Sequence, residues 1–267
     1  MHTRIFWVFF TGMALLGSNT DACAWGADGH TAIGILAMDQ LEPEVKIALQ
    51  DIVGTLDEDA MVEACNWPDA IRETEKWEWT APRHYVNIPR GESTFRESRD
   101  CPDQLCATGA VKKFAVELGN DTATKEKRWQ SFAWLCHMVG DLHQPLHAGF
   151  ADDRGGNSFD VSFHGEDLSL HTFWDHALID TYAGDSKNLV RQMRQLPAIQ
   201  ITANWSLENV DSWTNESHGL AEKSVYPDTV ELSDAYVQQS WETAQQRIRT
   251  AASRLAHIIN SELSASD

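Results

Sequence analysis

Between Lys125 and His143 the apolar residues recur at steps of three and four: Trp129, Phe132, Ala133, Cys136, Val139 and Gly140. That spacing predicts a helix with one face in the core, stopped by Pro145, with His137 and Asp141 bordering the stripe. The same reading predicts a first helix from about Asp28 to Leu41. A second is opened by Pro43, and its Val45, Ala48, Leu49, Ile52 and Val53 form a face ending at Gly54. A last long helix, about Ser233 to Asn260, carries Val237, Trp241, Ala244, Ile248, Leu255 and Ile259, a stripe that reads as core alone. Between residues 155 and 175 the period changes. After the turn signal Gly155-Gly156, Phe159, Val161 and Phe163 alternate with polar residues, His164 to Asp167 turn, and Leu168 and Leu170 follow. This predicts a small hairpin whose second strand runs into His171 and a helix bearing Trp174 and Leu178. No repeat or linker interrupts the chain, so the expected fold class is a single, mainly α domain with a small β-hairpin.

Residues 1–24 change the picture of where that domain starts. Arg4, the apolar run Ile5 to Gly17 and the small residues Ala22-Cys23-Ala24 read as a secretory signal with its cleavage site. The run is shorter than the ~20 residues a spanning helix needs. The expected mature protein therefore comprises residues 25–267, secreted or periplasmic, soluble, and without stable membrane association. Export permits disulfides among the four cysteines that remain. Cys101 and Cys106 enclose a short local loop and make the safest bridge. Cys65 lies four residues before Asp69, and Cys136 directly precedes His137. These two pair if Asp69 and His137 share an ion; two buried free thiols are the alternative.

The formal charge of −19 argues against a partner held by Lys and Arg neutralisation of phosphates. What remains is a substrate that is not a polyanion, or bound cations that supply a local positive field. The candidate ligands for such cations are His30, Asp69, His84, His137, Asp141, His147, His171 and Asp175. Taken singly each has an ordinary reading: His30 at a helix start, Asp69 as the cap of a helix from Ala70, His84 in a short strand, the rest as surface pairs. Taken together, five imidazoles and three carboxylates are the donor mixture zinc accepts, and two His/Asp pairs at four-residue spacing share a helix face.

These residues carry a resemblance. Trp25 with His30, then Trp67-Pro-Asp69 with Arg72, then His84, then His137 followed by Asp141-Leu-His-Gln-Pro-Leu-His147, then Gly155-Gly-Asn157 and Leu170-His-Thr-Phe-Trp-Asp175 resemble the trinuclear-zinc, single-strand-specific nucleases of fungi, plants and bacteria. The resemblance covers the whole of residues 25–267. It implies three Zn²⁺ ions: one on Asp69, His84, His137 and Asp141; one on His147, His171 and Asp175; one on the Trp25 amine and carbonyl, His30 and the second oxygen of Asp141. It implies endonucleolytic hydrolysis of single-stranded DNA and RNA by a monomer, with a hydroxide between two ions as nucleophile and 5′-phosphorylated products. Activity as a 3′-nucleotidase is left open. Arg72 and Asn157 stand where such enzymes contact phosphate, and Tyr85 where an aromatic stacks a base. Asn87 departs from the family's usual aspartate: it keeps hydrogen bonding but cannot accept a proton. The rival readings are a zinc phospholipase C, disfavoured by the short Trp25-to-His30 spacing and by Asp175 in place of glutamate, and a non-catalytic exported zinc-binding protein, whose ligand shells would be closed.

Overall fold

In the computed structural model, which describes residues 25–199 and 206–264, the chain is built almost wholly of helices. They are α1 (Gly26–Met38), α2 (Pro43–Val53), α3 (Glu58–Arg72), the single turn α4 (Glu97–Asp100), α5 (Ala107–Gly119) and α6 (Lys125–His143). The strands β1 (Asp160–Phe163) and β2 (Glu166–Ser169) follow, then α7 (Leu170–Thr172), α8 (Leu178–Tyr182), α9 (Ser186–Gln195), α10 (Val210–Leu220) and α11 (Asp234–Leu263). The signal sequence read in residues 1–24 lies outside the described residues, and among the described residues no helix is long and apolar enough to cross a membrane.

Helix α6 is the axis. Its Thr124 hydroxyl accepts from the Lys127 amide at the start, and Pro145 turns the chain into a short 3₁₀ segment, Pro145–Ala148, at the end. From Ser131 to His143 every side chain is buried, because α1, α3, α5, α10 and α11 pack around it. A helix covered on all sides has no solvated stripe. His137 and Asp141, expected at the border of an apolar face, therefore lie in the dry interior. Trp134 stacks on Phe114 of α5 with centroids 5.3 Å apart, and Trp67 of α3 meets Trp134 edge-on at 5.9 Å. These aromatic contacts tie the three helices together at the level of the histidines.

The structure revises several boundaries. Helix α1 ends at Met38 because the chain tightens there, Gln40 N donating to Ala37 O at 3.0 Å. Asp69 does not cap a helix from Ala70; it sits in the last turn of α3, which continues through Pro68. An internal proline costs about 3 kcal/mol, offset here by burial of Met61, Ala64, Cys65 and Pro68 on the core side of the same helix. His84 is not in a strand; it closes a 3₁₀ helix, Glu78–His84. The hairpin turn is only His164-Gly165, both left-handed (φ 53° and 82°), as the twist of two-residue hairpins demands. Glu166 and Asp167 accordingly belong to β2, and Leu170 opens α7. Between α7 and α8 the backbone widens into a π-turn, Phe173–Ala177, a form that occurs frequently at functional sites.

Both disulfides form: Cys101–Cys106 within one loop, and Cys65–Cys136 joining α3 to α6. Gly34 of α1 crosses directly over the second, where an added Cβ would lie 2.6 Å from Cys65 Sγ. The bridge spans 71 residues against 5 for the local one. Chain entropy assigns it about 4 kcal/mol against about 2. Replacing Cys65 and Cys136 by alanine should lower the guanidinium unfolding midpoint more than replacing Cys101 and Cys106. Equal shifts would show that the long bridge adds nothing beyond the short one.

Candidate metal centre

Six segments supply the donors gathered at the buried end of α6. Helix α3 brings Asp69, the 3₁₀ segment brings His84, α6 brings His137 and Asp141, and α1 brings His30. The 3₁₀ turn after α6 brings His147, and the stretch from α7 into the π-turn brings His171 and Asp175. The eight side chains predicted as ligands fall into three groups of converging donor atoms: His30, His137 and Asp141; Asp69, His84 and His137; His147, His171 and Asp175.

The donor spacings test whether an ion fits. In a tetrahedral site with bonds of about 2.0–2.1 Å, neighbouring donors lie roughly 3.3 Å apart. His84 Nδ1 is 3.1 Å from His137 Nε2, 3.4 Å from Asp69 Oδ1 and 3.1 Å from Asp141 Oδ2. His137 Nε2 is 3.5 Å from both Asp69 Oδ1 and Asp141 Oδ1. In the third group His171 Nε2 lies 3.0 Å from His147 Nε2 and 3.1 Å from Asp175 Oδ2. Asp141 stands between groups, its Oδ1 3.3 Å from His30 Nε2 while its Oδ2 faces His84. Both Asp141 oxygens, Asp69 Oδ1, Asp175 Oδ2 and His30 Nε2 are buried without a hydrogen-bond partner. Buried polar atoms are almost always satisfied, so a concentration of orphans at one point is what a cation would complete.

The atoms behind the donors are fixed. His137 Nδ1 donates to the Cys65 carbonyl (2.7 Å), His147 Nδ1 to the His84 carbonyl (2.5 Å) and His171 Nδ1 to the Gly155 carbonyl (2.6 Å). Each bond sets the tautomer that leaves Nε2 free as a ligand. Burial pushes His30 and His84 well below the ordinary histidine range, with the neighbouring His137 adding to it. Burial also pushes the Asp141 carboxyl well above its ordinary range. His137 goes the other way: Asp141 and Asp69 outweigh its burial and hold it up to about 9. A metal ion bound here would compete with protons for these donors.

Three residues that the sequence reading gave no role at this centre support it. Gln144, fully buried, donates to Asp175 Oδ1 at 2.6 Å while its own oxygen accepts from the Leu146 amide. Gly155 (φ 62°) could not be replaced, because a Cβ would stand 2.2 Å from the Leu146 carbonyl; its turn presents the carbonyl that His171 uses. Gly140 leaves room for the His30 ring, which stacks on His137 at 3.8 Å. Trp25 is fully buried. Its indole donates to Gly140 O at 3.0 Å and its backbone nitrogen points at Asp175 Oδ1, 3.3 Å away.

Of the residues expected to touch substrate, Arg72 meets the cluster directly, Nη1 lying 3.3 Å from Asp69 Oδ1. Tyr85 and Asn87 point outward from the extended segment after His84, with Val86 and Ile88 buried on the other side. That segment is held by Val86 N and Ile88 N donating to the His147 and Gly149 carbonyls. Asn157 follows the glycine pair and donates to Arg154 O at 2.8 Å. His143 and His218 are structural. His143 links the Val139 carbonyl to Arg254, and His218 bridges the Ala148 and Glu92 carbonyls.

Residues 25–264 match the family model of the S1/P1 nucleases. Endonuclease 4 of Arabidopsis thaliana is 30% identical over 90% of this chain and 89% of its own length. Nuclease P1 of Penicillium citrinum is 25% identical over 88% of this chain and 97% of its own. Among solved structures, the alpha-toxin of Clostridium perfringens superposes with a TM-score of 0.53 at 15% identity. The superposition covers 92% of this chain but 66% of that longer one, and it shows a shared fold alone.

Because a Cβ at position 140 would come 2.6 Å from His30 Nδ1 and 3.3 Å from Ile33, Gly140→Ala should displace the His30 ring. The expected loss is about 1–3 kcal/mol of stability, together with weakened binding of one divalent ion, read by thermal unfolding with and without added Zn²⁺. An unchanged response to Zn²⁺ would sink this account of Gly140.

Proposed function

The chain belongs to the S1/P1 nuclease family and hydrolyses phosphodiester bonds, and from that premise we propose that it is an exported, three-zinc endonuclease of single-stranded DNA and RNA. The observation that carries the proposal is the set of orphaned donors around Asp141. Asp69, His84, His137 and Asp141 would hold one ion, His147, His171 and Asp175 a second, and His30, Asp141 and the Trp25 main chain a third. Zinc bound there supplies an acidified water at neutral pH and Lewis-acid stabilisation of the phosphate and the departing 3′ oxygen.

The protein's own groups do the rest. Asp141 offers one oxygen to each of two groups, so a single side chain sets the separation of their ions. Arg72, held beside Asp69, is placed to draw in a phosphate and to balance charge that grows in the transition state. Asn157, just after the glycine pair whose Gly155 carbonyl orients His171, would add a neutral amide donor. The Tyr85 ring, 39% exposed, offers a face on which any base can stack, and a base in a duplex has no free face to offer. Asn87 beside it can hydrogen-bond a base edge but cannot take a proton, so no general base is assigned there. The second disulfide and the leader read in residues 1–24 support export and cleavage before Trp25, which turns an amide nitrogen into an amine able to bind metal.

Correctly processed protein should contain three zincs per chain by elemental analysis and should leave 5′-phosphate ends on single-stranded DNA and RNA while sparing duplexes. Asp141→Asn should lose two of the three ions and on the order of 10³-fold or more in rate; a few-fold loss would rule out its double role. One extra residue ahead of Trp25 should cost one zinc. Retention of all three with full activity would remove the main chain of Trp25 from the ligand set.

A further inference from the structure

On the far side of Trp134 from the metal centre lies a second recess, of about 190 Å³, between α5, the start of α6 and the 3₁₀ segment that carries His84. The Trp134 indole is the partition. One edge meets the His84 ring at 5.9 Å, and its face stacks on Phe114, which lines the recess. Three cations face this space, Arg83, Lys113 and Lys127, against one carboxylate, Glu117. That carboxylate lies 3.8 Å from Lys113 Nζ and accepts from Ser131 Oγ, both within the recess, so two positive charges remain in excess. On a chain of net charge −19 this recess carries net positive charge.

Arg83 is the decisive residue. Its side chain is 6% exposed, and its Nε and Nη1 are buried without any hydrogen-bond partner. The guanidinium lies over the Trp79 ring at 5.4 Å and the Phe114 ring at 5.7 Å. Those contacts satisfy its face and leave Nε and Nη1 unmet, and buried, unmet guanidinium N–H groups call for an oxyanion. At the mouth Trp79 is 53% exposed and runs nearly parallel to Trp77, 22° apart. An exposed indole beside a phosphate-binding fork is the pairing that recognises a nucleotide: phosphate on the cation, base on the ring. The volume is below the roughly 300 Å³ of pockets that enclose a whole small ligand. It accommodates a phosphate and part of its sugar while the base rests outside on Trp79.

We propose that this recess is a second nucleotide-binding site, in which Arg83 and Lys113 hold a phosphate and Trp79 stacks the attached base. The nucleotide comes either from the strand being cut, beyond the scissile bond, or from released 5′-mononucleotide. The proposal rests on the phosphodiester chemistry of the family and not on the number of zincs.

The test uses zinc-loaded full-length protein and the variants Trp79→Ala, Lys113→Gln and Arg83→Gln, the first two altering side chains that reach solvent. Adenosine 5′-monophosphate binding is measured by equilibrium dialysis, and cleavage by KM and kcat on a dinucleotide and a hexanucleotide. If the site holds the strand, each variant raises KM for the hexanucleotide by about tenfold and leaves kcat and the dinucleotide KM unchanged. If it holds free mononucleotide, wild type binds one more equivalent than Trp79→Ala or Lys113→Gln, and neither KM moves. Equal nucleotide binding and equal KM across wild type and variants would overturn the proposal. Should wild type cleave neither strand, the nuclease reading fails instead, and the dialysis comparison alone still decides for or against the recess.

Discussion

A carboxylate that is completely out of water, with neither oxygen hydrogen-bonded, is the constraint on which the rest of this structure depends. Asp141 is that residue. Transferring such a group into the interior costs several kcal/mol even after relaxation, and the cost is recovered only through close positive charge. The surrounding residues offer imidazoles at 3.1–3.5 Å, most of which burial itself keeps neutral. The protein therefore carries an electrostatic deficit at its core that cations relieve. Stability and catalytic competence are coupled through the same atoms.

The architecture around Asp141 follows from holding donors still once they are buried. Three histidines are aimed by main-chain carbonyls, and each carbonyl comes from a backbone that is itself pinned. Cys65 is pinned by its disulfide to the residue preceding His137. The carbonyl of His84 is pinned by the pairing of Val86 with His147, and that of Gly155 by a left-handed turn that admits no side chain. Gln144 does the same for Asp175 from the end of α6. Ligands and supports alternate along the chain, so the segments supplying one group also orient the next. A local change at Cys65 or Gly155 should accordingly be felt at histidines far away in sequence.

How much of this was legible depended on what each residue's neighbours in sequence could reveal. The span of α6 could be read to the residue from its apolar spacing and Pro145, and in the structure Thr124 caps it. The convergence of the candidate donors was also readable, since imidazole and carboxylate at four-residue spacing have few other uses in combination. The helix around Asp69 was harder to read than its donor role, because Asn-Trp-Pro-Asp has the local grammar of a helix start, and only tertiary burial of Met61 and Cys65 carries α3 through the proline. Helices α5, α9 and α10 were not anticipated. Helix α5 opens on Ala107, Gly109 and Ala110, whose small side chains give little hydrophobic contrast although all are buried. Gln144 and Gly140 were invisible for a different reason: their importance lies in what stands opposite them, Asp175 and His30, and no local pattern encodes that.

The remaining step concerns Trp25. In the uncut chain its nitrogen is an amide, which can donate to Asp175 as it does here but has no lone pair to give a metal. The indole, meanwhile, is already locked to the Gly140 carbonyl, adjacent to Asp141. The side chain thus docks independently of processing, while the main-chain nitrogen acquires its ligand character only when the preceding bond is cut. Under the reading proposed for residues 1–24, the fold places the residue first and export completes its chemistry second. Until then the group around His30 and Asp141 lacks one donor. Under that same proposal, a nuclease that would otherwise meet the nucleic acids of the cell that makes it would be kept one ligand short of a full site until it had left.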